Sequence, residues 1–311
     1  MKLTHLFSVL GTALAIASPA EAFELQHAQG TLTLAQAPQR VVSYELAHLD
    51  TLNTLGIPVA GVPKSVYSGA LSKYSQAAVV GTLFEPEYDQ LKGVKPDLII
   101  AGGRSASAIP KLREVAPTVS FTSDPSSFLE SVKVSSLAIG RAWGKEAQAQ
   151  AALNDIQKNV DTLHGLNRGK KGALLFVVRD NVIAHAPGER FGYVHELSGL
   201  APVLPARQAA ASAARPEPGS PEARAAAAER AKAVQAVAQA DPDWLIVLDR
   251  GAINDGEKTA ADTLARHPQI SRTTAFREGR VHYVDPNGWY VIGGGLTNLK
   301  TITEQMITAM K

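Results

Sequence analysis

Short aliphatic and β-branched runs alternate along this chain with longer stretches in which apolar side chains recur every three or four positions. Arg40-Val41-Val42-Ser43 reads as a strand, and Leu46, Leu49, Leu52 and Leu55 then follow at helical spacing until Gly56 stops the helix. Ile57 to Val62 predicts a second strand. Leu98-Ile99-Ile100-Ala101 predicts another, entered from Lys95-Pro96-Asp97 and left through Gly102-Gly103. Phe128 to Trp143 reads as a helix with Gly144 as its stop. The stretch from Lys145 to Leu163 has no internal proline or glycine and is rich in good helix formers. At 1.5 Å per residue it would extend close to ~30 Å, enough to pass from one lobe to another. Ala173 to Val178 opens a new strand beyond it. The alternation is that of α/β layers around parallel strands. It predicts an α/β fold with an N-terminal lobe over 23–144, a linking helix over 145–165 and a C-terminal lobe over 166–311.

An internal echo supports two lobes. Val94-Lys95-Pro96-Asp97-Leu98-Ile99-Ile100 leads to Arg104, and Ala240-Asp241-Pro242-Asp243-Trp244-Leu245-Ile246-Val247 leads to Arg250. Each is a Pro-Asp turn feeding a buried strand, with an arginine just past its carboxyl end, where open α/β sheets bind ligands. Pro-Asp before a strand is also ordinary turn chemistry. Between Ala206 and Ala238 the composition shifts to Ala, Arg, Glu and Pro: an extended insertion around Arg215–Pro221, then a helix from Glu222 to Ala238.

Composition narrows the function classes. Of the 311 residues, 45% are hydrophobic and 19% charged, as in a globular protein, and the net charge of +2 gives no reason to expect a nucleic-acid partner. The absence of cysteine excludes disulfides, thiolate metal sites, a cysteine nucleophile and a lipid-modified cysteine anchor. At the N-terminus, Lys2, the apolar run Leu6–Ile16 and Ala20-Glu21-Ala22 read as a secretory signal cleaved after Ala22. That run is too short to span a bilayer. A periplasmic, unlipidated protein is expected.

Candidate chemistry is sparse. There is no phosphate-cradling glycine loop, no nucleophile elbow and no His-Glu-x-x-His pair. Gly293-Gly294-Gly295 lacks the following Lys and Ser/Thr, and a close backbone approach is the expected role there. The eight histidines are scattered, and nothing in the spacing of His185, His195 and His282 brings them together. Arg104, Arg190 and Arg250 stand out: each is placed at a strand-to-loop boundary beside a glycine or, at Arg190, Phe191-Gly192. A guanidinium is permanently charged and offers a fork of donors to oxygen anions. Trp289 and Tyr290 follow the turn Asp285-Pro286-Asn287-Gly288. An exposed pair there would stack on planar rings, and a tyrosine phenolate is a hard donor for ferric iron; core packing at a strand end is an equally open reading for Trp289.

Taken together, Pro38-Gln39-Arg40-Val41-Val42, Leu55-Gly56-Ile57-Pro58-Val59-Ala60-Gly61-Val62, Gly81-Thr82-Leu83-Phe84-Glu85-Pro86, Lys95-Pro96-Asp97-Leu98-Ile99-Ile100, Arg190-Phe191-Gly192, Asp241-Pro242-Asp243-Trp244 and Asp285-Pro286 to Tyr290 resemble the periplasmic binding proteins for iron siderophores, especially catecholate and petrobactin types. The resemblance covers nearly the whole chain after the signal except the insertion. It implies a class III binding protein: two lobes on one rigid helix, little hinge motion, no catalysis and no permanent cofactor. It also implies a monomer that hands a ferric siderophore to an inner-membrane ABC permease. Arg104, Arg190 and Arg250 correspond to the basic triad of the family, and Tyr290 to a phenolate that can reach iron. Some relatives add an iron-ligating histidine in the loop that is here 206–224, which holds none. Relatives dock their permease through a glutamate on each lobe. At those distances from the Pro-Asp turns this chain has Asp89 and Gln235, with Glu85 and Glu87 as further candidates. A haem or cobalamin carrier on the same fold is the alternative; a hydrolase would need a nucleophile–base pair or metal cluster that the sequence lacks.

Overall fold

The computed structural model describes residues 22–207 and 216–311. The expected export signal, apart from Ala22, and positions 208–215 of the expected insertion lie outside the described residues. β1 (Phe23–His27) and β2 (Gly30–Leu34) form an antiparallel hairpin. There follow β3 (Val41–Ser43), α1 (Leu46–Thr54), β4 (Val59–Val62), β5 (Ala78–Val79), α2 (Tyr88–Val94), β6 (Leu98–Ile100), α3 (Ile109–Leu112) and β7 (Thr118–Val119). Their strands make a parallel sheet in the order β5-β4-β3-β6-β7.

Two helices, α4 (Phe128–Ala142) and α5 (Glu146–Leu166), lead to the second half. It contains β8 (Lys171–Val178), β9 (Asn181–His185), α6 (Val194–Ser198), β10 (Ala201–Pro202), α7 (Pro221–Ala240), β11 (Trp244–Asp249), α8 (Ala260–Arg266), α9 (Thr274–Arg277), β12 (Val281–Tyr283) and α10 (Leu296–Met310). Here the parallel order is β10-β8-β11-β12, with β9 antiparallel to β8. The central strands β6 and β11 are buried along their whole length, which explains their unbroken hydrophobic runs.

In the first sheet the chain moves from β3 outward to β5 and then from β6 outward the other way, so its direction reverses between β3 and β6. In the second sheet the reversal falls between β8 and β11. Crevices at the carboxyl ends of such strand pairs are where open α/β sheets hold ligands.

The sequence echo is a repeated structural device. Lys95 and Asp241 both end their helices in the left-handed conformation, at φ 53° and 43°. The carboxylate two residues on then ties down the start of the neighbouring strand. Asp97 accepts from the Gln39 and Arg40 amides at 2.7 and 2.8 Å, and Asp243 from the Lys171 amide at 2.7 Å.

The halves share one core. A single buried cluster runs from Phe23, Val41 and Leu52 through Ile156 and Val160 of α5 to Leu174, Ile246 and Met306. α5 is not the sole bridge, because α10 packs along it and returns to α1 in the first half. There the Asp50 carboxylate accepts from the Asn298 amide at 3.0 Å, and Thr54 and Thr297 hydroxyls meet at 2.7 Å. Burial pushes the Asp50 carboxyl up to about 6 against the pull of the Asn298 and Thr297 amides. Gly295 lies at φ +85°, and a Cβ there would meet Asp50 Oδ2 at 2.5 Å, so the close backbone approach expected of the glycine run is real.

Candidate functional site

The segment between β12 and α10 carries the centre of the site. Asn287–Ile292 forms a π-helical turn rather than a strand end, closed by the Gly293 amide donating to the Gly288 carbonyl at 2.8 Å. Such turns are rare and recur at functional sites. The turn sends neighbouring rings in opposite directions. Trp289 goes inward and is 1% exposed, stacked on Tyr193 at 5.2 Å between centroids; Tyr193 in turn stacks on Phe128 at 3.9 Å. Of the two readings open for Trp289, stacking on a ligand from an exposed position does not hold and core packing does, in a π-turn rather than at a strand end. Trp289 is a core ring, because the wider π-turn rotates its indole onto the aromatic column that joins α4 to the second half. Tyr290 alone is half-buried and faces the cleft.

Three guanidinium groups surround Tyr290. The guanidinium carbons of Arg104, Arg190 and Arg250 lie 5.7, 4.6 and 5.2 Å from its ring centroid. Arg104 comes from a 3₁₀ turn beyond the carboxyl end of β6, and Arg250 directly follows β11. Arg190 sits in the turn between β9 and α6, five residues past the strand and not at its boundary. Arg104 donates to the Tyr290 and Val291 carbonyls, the latter at 3.2 Å, and Arg190 to the Tyr290 carbonyl at 3.4 Å. These acceptors are neutral. Among the described side chains none of the three arginines has a carboxylate within 4 Å.

Burial and like charge weigh most on Arg104. Burial first, then Arg190, lower the proton affinity of Arg104, with partial relief from Glu45 and Tyr290. Burial pushes the Tyr290 phenol up, but Arg190 and Arg250, through charge and hydrogen bonds, bring it below the usual tyrosine range. A phenol under such pressure ionises readily and accepts donors or a hard cation.

Glu45, two residues past β3 and across the switch point from Arg104, is a site residue that sequence reasoning missed. Burial raises its carboxyl to about 7 despite the attraction of Arg104. A charged residue just past a strand's carboxyl end was the signal that selected Arg104, and it applied equally here. The same cavity, about 510 Å³, includes Arg104, Arg190 and Tyr290 and continues past Glu45 toward α1 and α4. Arg250 reaches Tyr290 from outside that lining.

Other candidates separate from this centre. Glu85, Glu87 and Asp89 are exposed on the rim of the first half, in the loop after β5 and at the start of α2, with Phe84 58% exposed beside them. Gln235 is exposed on α7. His185 on β9 and His282 on β12 lie on opposite sides of the central pair β8-β11. Among the described residues no three His, Cys, Asp or Glu side chains group into a metal site, and no helix is long and apolar enough to cross a membrane.

Comparison with known proteins gives consistent likenesses. The chain is 28% identical over 275 residues to the petrobactin-binding protein YclQ of Bacillus subtilis, covering 86% of this chain and 81% of that protein. It is 26% identical over 292 residues to the ferric-anguibactin-binding protein FatB of Vibrio anguillarum, covering 91% and 86%. The crystal structure of YclQ superposes with a TM-score of 0.80 at 25% identity, over 94% of this chain and 99% of that one. A family profile described as periplasmic binding protein matches residues 41–287, so the chain belongs to the periplasmic binding protein family.

Proposed function

We propose that this protein captures a ferric siderophore, of catecholate type, and delivers it to an ABC importer of the inner membrane. The observation that carries this reading is the ring of three guanidinium groups around one half-buried tyrosine, unpaired with carboxylates among the described side chains. A ferric tris-catecholate carries three negative charges on a compact, oxygen-rich surface. Three cations held by folding in a partly desolvated cleft nearly neutralise it, and their mutual repulsion falls when it arrives. Arg104, Arg190 and Arg250 would grip the chelate oxygens. Tyr290, with its phenol already drawn down by two of those cations, would serve as an oxygen ligand wherever a chelator leaves iron positions open.

The petrobactin and ferric-anguibactin names of the relatives agree with such a cargo. Haem is a poorer fit, since it needs an axial ligand above an apolar slot, and Tyr290, the tyrosine at the cation cluster, is crowded by cations. The protein acts by binding alone, without catalysis or a permanent cofactor. Residues 23–144 and 166–311 serve as two lobes, joined by 145–165 and braced by α10, and their continuous core keeps closure small. Export through a signal cleaved after Ala22, with no cysteine for lipidation, gives a diffusible monomer in the periplasm. Glu85, Glu87 and Asp89 offer the permease an acidic rim at the end of the first sheet where the cleft opens.

A fluorescence-quench panel tests this reading. Ferric catecholates are expected to quench tryptophan emission at submicromolar concentration, with ferric hydroxamates, ferric citrate, haem and cobalamin binding far more weakly. Tighter binding of haem or cobalamin than of every ferric catecholate would overturn it.

A further inference from the structure

The π-turn does more than carry Tyr290, since all three cations are held relative to it. The Tyr290 and Val291 carbonyls are the acceptors of Arg104, and the Tyr290 carbonyl also receives Arg190. Gly293 and Gly295, at φ +73° and +85°, turn the chain away before it can continue as a helix, which leaves those carbonyls to the guanidinium groups. At the start of the turn the Asn287 side-chain oxygen accepts from the Asn254 amide at 2.9 Å, and this ties in the loop that begins at Arg250. A shift of the turn would move the points that set Arg104, Arg190 and Arg250 around one centre.

One buried side chain closes this turn. Asn298, 8% exposed near the start of α10, donates from Nδ2 to the Gly288 carbonyl at 3.0 Å and to the Gly294 carbonyl at 3.1 Å. Those glycines stand on either side of Tyr290, so a single amide group staples the entry of the turn to its exit. The backbone amide of Asn298 is spent on Asp50 of α1, which fixes the staple to the first half, the half that supplies Arg104. The fit at the entry is close. A Cβ on Gly288 would lie 2.9 Å from Asn298 Oδ1 and 2.8 Å from Asp285 Oδ2, and the Asp285 carboxylate accepts from the Asn287 and Gly288 amides at 3.1 and 3.0 Å. A π-helical turn is rare, and side-chain ties at both ends favour it here over a tighter turn. Asn298 is not among the described residues that line the cavity.

We propose that Asn298 is a positioning residue of the cation site: by closing the π-turn it sets the convergence of Arg104, Arg190 and Arg250, and through them the preference for a trianion. The assignment rests on the ferric-siderophore reading and deepens it. Without the staple the turn relaxes, its carbonyls leave the guanidinium groups, and the three charges spread apart. Attraction to a compact anion then falls, and it falls most for the anion of highest charge.

The test uses the gallium(III) and germanium(IV) complexes of one hexadentate tris-catecholamide, which share a ligand shell and differ by one negative charge. In quench titrations the native protein is expected to favour the gallium complex by about tenfold. Asn298→Leu keeps the size of the side chain and removes both donors, and Asn298→Ser is too short to reach both carbonyls. Each is expected to weaken binding of the gallium complex by about tenfold and to cut the preference by about threefold or more. Thr54→Val breaks the neighbouring hydroxyl pair between α1 and α10 and leaves the staple intact. It is expected to lower the urea unfolding midpoint while both affinities stay within about twofold of native. If Asn298→Leu does not fold, Asn298→Ser decides the matter. An unchanged preference in the folded Asn298 variants, or the same loss of preference in Thr54→Val, overturns the positioning role and leaves the proposed function standing. A native protein that binds neither complex, or both equally, overturns the charge reading as well.

Discussion

Replacing Arg104 by glutamine strikes the cation cluster at its most buried member. Arg104 is partly buried, lies within reach of Arg190, and spends its donors on two backbone carbonyls, so the folded protein already bears the cost of holding this charge. An arriving anion therefore meets a cation that needs little further desolvation. At an effective dielectric of about 20, unit charges ~6 Å apart attract by about 3 kcal/mol. The three charges of a ferric tris-catecholate increase that figure, and screening at about 0.15 M salt reduces it. A net loss near 3 kcal/mol corresponds to a Kd raised about 150-fold. Quench titrations of native and R104Q protein would measure it, with urea unfolding midpoints compared to verify that the variant is folded. A change in Kd of less than about threefold in a folded variant would refute the electrostatic reasoning.

Further outcomes follow from the same geometry. Glu45 is protonated below its raised value of about 7 and becomes an anion beside Arg104 above it. Affinity for ferric catecholates should therefore fall as pH rises through about 7, and Glu45→Gln should flatten that dependence when the two proteins are titrated side by side. Because the folded value lies above the ordinary glutamate range, Glu45 favours folding most at low pH. That contribution is lost as pH rises through 7, so E45Q should also reduce the fall in unfolding midpoint across this window. Tyr290→Phe should remove any iron–phenolate absorption band seen with a tetradentate ferric bis-catecholate and leave the spectrum of a hexadentate complex unchanged. Gly295→Ala combines a φ of +85° with a Cβ set 2.5 Å from Asp50 Oδ2. It should destabilise the protein by about 2–4 kcal/mol in chemical denaturation.

The strands and long helices were legible because their signals are local. Leu98-Ile99-Ile100 and the glycine-free run up to Leu163 could not satisfy their backbones or bury their side chains in many other ways. The Pro-Asp echo was legible for a physical reason as well: a left-handed helix end, a proline and a strand-pinning carboxylate form one compact device, used twice. Arg104 and Arg250 were legible as charged residues past the carboxyl ends of central strands. Glu45 obeyed the same rule and went unseen, since it falls in the short link between the strand ending at Ser43 and the apolar helix beginning at Leu46. The inward turn of Trp289 was not legible. It depends on a π-turn whose extra residue has no composition signature, and on Tyr193 and Phe128 arriving from distant segments. The return of α10 to α1 was hidden too, because Asp50 looks like an ordinary polar position of α1 until the amides of Thr297 and Asn298 are brought to it.

If charge, presented as three converging cations, selects the cargo, then changing the metal inside an otherwise constant chelate changes affinity with the charge alone. Tris-catecholates of Fe(III) and Ga(III) carry three negative charges, and those of Ge(IV) and Ti(IV) carry two with the same ligand shell. Equal affinity is expected for the two trivalent complexes, and binding of the tetravalent ones weaker by about tenfold or more, a gap that narrows as salt is raised. Equal affinity for all four would contradict selection by charge.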